Sequence, residues 1–359
     1  MPSPGFFKIE KRGGESAFWR LAAPFLAVVL TALITGLIFA LMGRPPGRTV
    51  WVFLVSPLLA KGGLAALAVK AAPLIMMGVG LSLAYRANVW NIGTEGQFTL
   101  GAICGGGVAL ALPDAGSWVF ALMAVCGVLG GMAGGALVAV LRVKFNANEI
   151  LTSLMLSYVF QYLLIYLVTG PWRDPQGFGF PQTPLFSDAA SAPKLGGSGN
   201  LHLGVLLAPL LAVALWIMLE KSFLGFQFRV LGQSPRAARF AGFSEASLVW
   251  IAMLVSGGLA GLAGLFEVAG PVGQLTTKIS PGYGFAAIIV AFLGRLNPLG
   301  AVAAGLLLAL SFLGGDAAQI ELGLPRAVTG IFQGILLFTL LACDVLLAHR
   351  VVWRRQRVA

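Results

Sequence analysis

Residues 85–101 read Tyr85-Arg-Ala-Asn-Val-Trp-Asn-Ile-Gly-Thr-Glu-Gly-Gln-Phe-Thr-Leu-Gly101 and lie between two strongly apolar runs. The mean hydropathy of the whole chain is +0.89. Polar groups are costly in hydrocarbon, so a polar stretch in such a chain either lies at a water interface or faces a protein-lined cavity. Its strongly polar side chains are Arg86, Asn88, Asn91, Glu95 and Gln97.

The composition of the chain around this stretch predicts a membrane protein. Of its 359 residues, 58% are hydrophobic and only 10% are charged, whereas a soluble domain carries about 25% charged residues. A bilayer needs about 20 residues per helical span, so about ten spans fit with short loops. We therefore expect an all-α, polytopic membrane protein with about ten transmembrane helices and no second, soluble domain.

Ten apolar segments support this count. Two of them, 97–112 and 283–294, are short for a full span and adjoin a polar or Pro-containing break, which is typical of the interrupted helices of transporters. The segments lie at 21–42, 64–84, 97–112, 118–141, 148–169, 202–219, 247–268, 283–294, 298–314 and 327–348.

The distribution of charge predicts the orientation. With the N-terminus inside, about two thirds of the 24 Lys and Arg residues fall in inner segments, as the positive-inside rule requires. Both termini are then cytoplasmic, with an N-terminal segment at 1–20 and a basic tail at 349–359 around a single transmembrane domain at 21–348. The main outer loop is 170–201 and the longest inner loop is 220–246.

The net charge of +11 does not indicate a nucleic-acid partner. The basic residues are scattered through short loops without an aromatic platform, and membrane orientation explains them. Cys104, Cys126 and Cys343 stand singly in apolar runs, so we expect neither a disulfide framework nor a metal site.

The inner loop contains a signal for a short helix. Ser234 is a suitable N-cap and Pro235 a suitable first residue, while Gly242 ends the helix. The residues of this element are Pro235, Arg236, Ala237, Ala238, Arg239, Phe240 and Gly242. The pattern predicts a helix on the cytoplasmic side that is basic on one side and carries Phe240 on another.

A second helix start follows at Asn148 and Glu149. We interpret these two residues mainly as a cap and a complement to the helix dipole, with ligand contact as the alternative. Farther along, Ser153, Ser157 and Gln161 form a polar stripe at four-residue spacing. Such a stripe in a membrane helix either lines a pathway or bonds to a neighbouring helix.

The polar stretch 85–101 itself has two interpretations. It is either a re-entrant or broken helix at the inner mouth of a pathway, or an ordinary cytoplasmic loop; the short span after it favours the first. Glu95 is expected to accept hydrogen bonds from backbone donors at a helix start rather than to bind a ligand. Glu267 is interpreted as an acid at headgroup level, and Lys70 as a charge close enough to a span end to snorkel or meet water rather than as part of a proton relay.

Three motifs now resemble one family. Asn91-Ile-Gly-Thr-Glu-Gly-Gln97 is similar to the "NIGAEGQ" signature of permeases in nucleoside and simple-sugar ATP-binding-cassette (ABC) importers. Residues 148–156, Asn-Glu-Ile-Leu-Thr-Ser-Leu-Met-Leu, resemble their "NEVISTIML" helix start. The segment 225–242 is similar to their "AVGENPEAARYAGI" coupling loop. The resemblance covers about residues 64–348.

The resemblance implies a transport subunit in a bacterial inner membrane. Such a permease pairs with a second, related permease, or with a copy of itself. Partner ATPase subunits use ATP and magnesium to supply the energy, and an extracytoplasmic protein delivers the solute. Residues 235–240 and Gly242 would contact the ATPase, while the signature residues Asn88, Asn91, Gly93, Glu95, Gly96 and Gln97 and the stripe Asn148, Glu149, Ser153, Ser157 and Gln161 would be pathway candidates. Nucleosides are the first expectation for the solute and simple sugars the second.

The sequence supports part of this scheme independently. It contains no G-x-x-x-x-G-K-[ST] motif, so the chain has no P-loop and energy comes from a partner or from an ion gradient. An ion-coupled transporter acting alone therefore remains an alternative. A membrane enzyme would need a cluster of acids or histidines at one depth, and the sequence offers none. We expect no cofactor bound to this chain.

Overall fold

The computed structural model describes residues 7–11, 17–196, 201–325 and 327–353, and these are almost entirely helical. The chain forms two compact units. One consists of Met1–Pro57 and Leu313–Ala359, and the other is Leu58–Phe312.

The first unit brings together the two ends of the chain. In it, α1 packs against α14, and the hydroxyls of Thr31 and Thr339 lie 2.8 Å apart. Strands β1 and β2 pair in antiparallel register. Its elements are β1 (Phe7–Lys11), α1 (Ala17–Leu41), α2 (Pro46–Leu54), α3 (Ser56–Leu59, at the boundary), α14 (Ala327–Ala348) and β2 (His349–Trp353), with the last residues of α13.

The second unit contains the three family-like motifs. Its helices are α4 (Gly63–Arg86), α5 (Thr94–Ala111), α6 (Trp118–Phe145), α7 (Glu149–Thr169), α8 (Leu203–Lys221), α9 (Phe223–Gln233), α10 (Pro235–Phe240), α11 (Glu245–Glu267), α12 (Tyr283–Leu293) and α13 (Pro298–Leu322). α11 continues into a π-helical turn, Val268–Val272.

Six of the described helices are long and apolar enough to cross a membrane: α4, α6, α7, α8, α13 and α11 with its π turn. Three shorter apolar helices cover Phe25–Leu41, Tyr283–Leu293 and Ala327–Cys343. Together with α5, these helices correspond one to one to the ten predicted segments. The expectation of an all-helical, multi-pass chain is thus confirmed, while the number of crossings stays a prediction.

Glycines allow the closest helix contacts in the second unit. A Cβ added to Gly131 would collide with the carbonyl oxygen of Gly257, and one added to Gly261 would collide with that of Gly127. Gly127 and Gly131 of α6 form a small-xxx-small pattern, and so do Gly257 and Gly261 of α11. The two patterns face each other, as expected for residues that allow close helix contact. Helix α5 also packs against the contact between α6 and α11, because a Cβ on Gly101 would collide with the backbone of Gly261.

The structure contains three features that the sequence analysis did not predict. Helix α2 occupies residues assigned to a loop, and helix α9 fills much of the inner loop 220–246. The paired strands β1 and β2 add a small sheet to the predicted all-α fold, and the alternating Phe7-Lys-Ile-Glu-Lys11 pattern is typical of a strand. Short or half-polar elements such as these carry a weak hydropathy signal, so a search for long apolar runs misses them.

Candidate functional site

The polar stretch 85–101 forms a break between two helices in the interior of the second unit. α4 ends at Arg86, the backbone passes through Asn88 with φ 57°, and α5 begins at Thr94. Asn91 and Thr94 are fully buried, and Gln97 is 1% exposed. The part of the stretch from Asn91 to Gln97 therefore lies among packed helices, whereas Asn88 is exposed.

The start of α5 meets the start of another short helix, α12. The Glu95 carboxylate accepts a hydrogen bond from the Gly284 amide at 2.6 Å, and the Thr94 hydroxyl donates to the Gly284 carbonyl at 3.2 Å. The first N–H groups of a helix have no partner within it. Glu95 thus satisfies a backbone donor at a helix start, as expected, but the helix is α12 rather than its own.

Asn91 is the centre of the hydrogen-bond network in the break. Its amide nitrogen donates to Gln97 Oε1 and to Ser256 Oγ, each at 2.8 Å. Its amide oxygen accepts from Gly93 N and Gln97 Nε2, each at 3.1 Å. Since buried polar groups need partners, this network fixes the shape of the break and joins it to α11 through Ser256.

The polar stripe of α7 faces the break. Ser153 Oγ accepts a hydrogen bond from Ile92 N at 3.2 Å, and Ser157 Oγ accepts one from Gly96 N at 3.3 Å. Both serines are buried. One turn farther on, Gln161 donates to the Thr277 carbonyl at 2.8 Å. The stripe therefore bonds to neighbouring segments along its length, which is one of its two predicted roles.

The remaining pathway candidates lie at the edge of this site. Asn148 is exposed and caps α7, accepting from Ile150 N at 2.9 Å, as predicted. Glu149 pairs with Arg142 at 2.6 Å. Asn88 is also exposed and accepts a hydrogen bond from the Trp90 indole at 2.9 Å. The structure thus brings Ser153, Ser157 and the candidates of 91–97 together in the break, and it places Asn88, Asn148, Glu149 and Gln161 outside that cluster.

The predicted short helix in the inner loop is present as α10, and its local structure is confirmed. Ser234 caps it by accepting from Ala237 N at 3.3 Å, Pro235 is its first residue, and Gly242 follows with φ 77°. Ala238 is fully buried, whereas the Phe240 side chain is 94% exposed. The exposed surface of α10 thus combines one aromatic ring with the side chains of Arg236 and Arg239.

Glu267 and Lys70 both lie near Tyr283 at the start of α12. Glu267, which we expect at headgroup level, is 7% exposed, and its carboxylate lies 3.5 Å from the Tyr283 hydroxyl. The Lys70 ammonium lies 5.7 Å from the centre of the Tyr283 ring. Tyr283, the first residue of α12, thus packs against the end of α11, and the depth of Glu267 in the membrane stays a prediction.

His202 also has a defined structural role that the sequence did not indicate. It is 3% exposed, and its Nδ1 accepts a hydrogen bond from Gly204 N at 3.2 Å, at the start of α8. Its ring stacks on Phe266 at 5.5 Å. Burial lowers the pKa of His202 below its ordinary value, so the neutral ring that this hydrogen bond requires is the favoured form.

The described residues contain no group of three or more His, Cys, Asp and Glu side chains that could hold a metal ion. The arrangement instead consists of amides, hydroxyls and one carboxylate that bond to backbone groups of broken helices.

Comparison with known proteins now adds to this geometry. Residues 63–341 match the family model described as the permease component of branched-chain amino acid transport systems. This range contains the break, the α7 stripe and α10.

Three characterised relatives are similar to the chain over most of its length. The glucose ABC transporter permease TsgB13 of Haloferax volcanii is 33% identical over 96% of this chain and 93% of its own. The guanosine permease NupP of Bacillus subtilis is 30% identical over 74% of this chain and 77% of its own. The nucleoside permease NupB of Lactococcus lactis is 25% identical over 89% of this chain and 90% of its own.

Proposed function

Because the chain belongs to the family of permease components of branched-chain amino acid transport systems, we propose that it forms the pathway by which an ABC importer moves a nucleoside across the bacterial inner membrane. It is a multi-pass permease of the nucleoside and simple-sugar type. The observation that carries the permease role is the family match over residues 63–341, and the similarity to the permeases NupP and NupB supports the choice of a nucleoside. No bond chemistry takes place in this chain, and ATP is hydrolysed by a partner subunit.

The proposed mechanism is alternating access. ATP binding by the partner ATPases moves α10, and this motion tilts the helices around the break at 85–101. Half-helices that meet inside a membrane protein are typical of transporters in which one group of helices rocks against another. The contact between the starts of α5 and α12 supports this role for the break.

The surface of α10 supports the proposed contact with an ATPase. Phe240 is almost fully exposed, and Arg236 and Arg239 are exposed beside it. The only ion pair found for Arg239 among the described side chains is a long one of 4.0 Å to Glu245. The helix therefore offers an aromatic anchor with two cations, a combination that is enriched in protein interfaces.

Simple sugars are the second candidate for the solute. The glucose permease TsgB13 is more similar to this chain, at 33% identity, than either nucleoside-type relative named above. Both solute classes carry several hydroxyl groups. Neither class alters the expected fold or partners: an ATPase, a second permease and an extracytoplasmic binding protein, with no cofactor bound to the chain itself.

The proposal is tested by reconstitution. The chain is placed in lipid vesicles with its ATPase, its second permease and its binding protein, and uptake of radiolabelled guanosine, adenosine and glucose is measured with and without ATP. We expect ATP-dependent uptake of a nucleoside. Uptake of glucose alone would select the sugar alternative.

A control separates the importer from an ion-coupled transporter. Vesicles that contain only this chain receive a proton or sodium gradient and no ATP. We expect no uptake above empty vesicles, because in the proposed mechanism the pathway opens only when partner ATPases bind ATP. Uptake driven by the gradient in these vesicles would refute the proposed function.

A further inference from the structure

Helix α12 is held at both ends by the polar stretch 85–101. At its start, Gly284 N donates to the Glu95 carboxylate at 2.6 Å. At its far end, the chain turns at 294–297, and the Leu296 carbonyl accepts a hydrogen bond from Arg86 Nε at 2.7 Å. Two charged side chains of one stretch thus bracket an 11-residue helix.

Aromatic contacts reinforce this connection. The Tyr85 and Trp90 rings lie 5.1 Å apart, and both stack on Phe292, at 5.4 and 6.2 Å. Phe292 is in the last turn of α12. Because hydrogen bonds join both ends of α12 to the stretch 85–101 and ring packing reinforces the far end, the stretch and α12 are expected to move as one body.

The same arginine is connected to the inner-loop helices. Arg86 Nη1 lies 2.7 Å from Glu220 Oε1 at the end of α8, and the other oxygen of Glu220 lies 3.0 Å from Arg229 Nη2 in α9. One carboxylate therefore bridges two guanidinium groups. Independently of these ion pairs, Gly232 of α9 packs so closely on Arg86 that an added Cβ would collide with the Arg86 carbonyl oxygen.

Helix α9 is joined directly to α10. Ser234 ends α9, donating its backbone N–H to the Val230 carbonyl at 2.9 Å, and its hydroxyl caps α10. A single residue that serves both helices leaves no flexible linker between them. Any displacement of α10 is thus expected to move α9.

We propose that Arg86, Glu220 and Arg229 are positioning residues that transmit the movement of α9 and α10 to the body formed by α12 and the stretch 85–101. This inference rests on the proposed function, in which an ATPase displaces α10. The three side chains are partly exposed, between 19% and 49%. Ion pairs of that kind add little to stability, so their contribution is to geometry and coupling.

The test uses the complete reconstituted importer and measures two rates, solute uptake and ATP hydrolysis. Glu220→Gln removes the bridging charge while keeping the size of the side chain. We expect solute transported per ATP to fall about fivefold, the lower end of the coupling between distant sites, while ATP hydrolysis changes little. A residue needed only for stability would lower both rates together and leave their ratio unchanged.

The neighbouring Lys221 provides a matched control. Lys221 is exposed at the same helix end and belongs to none of the ion pairs found among the described side chains. Lys221→Gln should preserve the ratio of uptake to hydrolysis. An equal ratio in Glu220→Gln, Lys221→Gln and the unaltered importer would overturn the proposal.

Two variants of Arg229 keep the test decisive if Glu220→Gln fails to assemble. Arg229→Gln leaves the Arg86–Glu220 pair intact and should lower the ratio, whereas Arg229→Lys retains the charge and should restore most of it. No decrease with Arg229→Gln would refute the coupling. If the unaltered importer shows no ATP-dependent uptake at all, it is instead the proposed function that fails.

Discussion

Asn91 shows at the residue scale why a polar side chain is buried in this permease. Its amide makes four hydrogen bonds, to Gln97, Ser256 and the Gly93 backbone. Removing one partner leaves buried donors and acceptors unsatisfied. The free-energy cost of these unsatisfied groups exceeds the net stabilisation that the hydrogen bonds had provided. The residue is thus tied to the shape of the break, and its removal affects stability as well as transport.

We predict that Asn91→Ala lowers the free energy of unfolding by about 3 kcal/mol, because Gln97 and Ser256 lose buried partners. The measurement is thermal unfolding of the detergent-solubilised permease. Asn88→Gly is the control: Asn88 is exposed with φ 57°, a conformation that glycine adopts without strain. Equal losses in the two variants would contradict this role for Asn91.

A pH effect is predicted for His202. Burial lowers the pKa of the folded state, whereas the unfolded value is near 6.5. The unfolded chain then binds the proton first, so the contribution of His202 to stability is complete above about pH 6.5 and is lost as the pH falls toward the folded value.

The test compares the permease with His202→Asn. Asparagine is a good N-cap acceptor for α8 and does not titrate. The midpoint of thermal unfolding should fall less in the variant than in the unaltered chain between about pH 8 and pH 5. Parallel pH profiles would show that protonation of His202 does not influence stability.

At the scale of elements, α10 contrasts with α9. The cap, the proline and the terminal glycine of α10 are all local, so the sequence predicted its bounds to within a residue. The sequence analysis missed α9 because Gly225 and Gly232 weaken its helix propensity. These glycines are needed for close contacts, Gly225 with the Leu219 backbone and Gly232 with Arg86, and such contacts become visible only in three dimensions.

We predict that replacing Arg239 and Phe240 by alanine weakens association with the ATPase at least tenfold, since an exposed aromatic and an arginine are typical interface anchors. Uptake should fall in parallel. The stability of the isolated permease should change by less than about 0.5 kcal/mol, as is usual for surface substitutions. Pull-down of the ATPase and calorimetry of the permease measure the two effects.

Phe180→Ala is the matched control for this element. Phe180 is another exposed phenylalanine, at 67% exposure, in the segment 170–201 that we assign to the outer side. It should leave ATPase association unchanged. If the double variant at Arg239 and Phe240 also retained both association and uptake, the assignment of α10 as the coupling helix would fail.

At the scale of the whole molecule, the paired strands β1 and β2 bring the two ends of the described chain together. Ends that pair with each other lie on one side of a membrane, which requires an even number of crossings. The excess of Lys and Arg in the predicted inner segments predicts that this side is cytoplasmic. The ten-span topology with both termini inside follows as a prediction.

Reporter fusions test this topology. A fluorescent protein that matures only in the cytoplasm should be bright when it is fused to either end of the chain. The same reporter inserted between Phe180 and Pro181, in the predicted outer loop, should stay dark. A bright terminus at one end only would indicate an odd number of spans.

The sequence by itself determined the features that depend on local chemistry or on composition. Hydropathy located the ten apolar segments, capping residues defined α10 and the start of α7, and the motifs indicated the permease family. These signals lie within a few residues of one another along the chain, or accumulate over a window of about 20 residues, so no knowledge of packing is needed to detect them.

Only the tertiary structure decided how the polar residues are used. Glu95 accepts from Gly284 of α12, 189 residues away, and Arg86 reaches Leu296 and Glu220. The burial of Glu267 likewise depends on Tyr283. A polar side chain inside a membrane protein must find a partner, but its sequence neighbours do not specify which one. That choice depends on how the broken helices pack together.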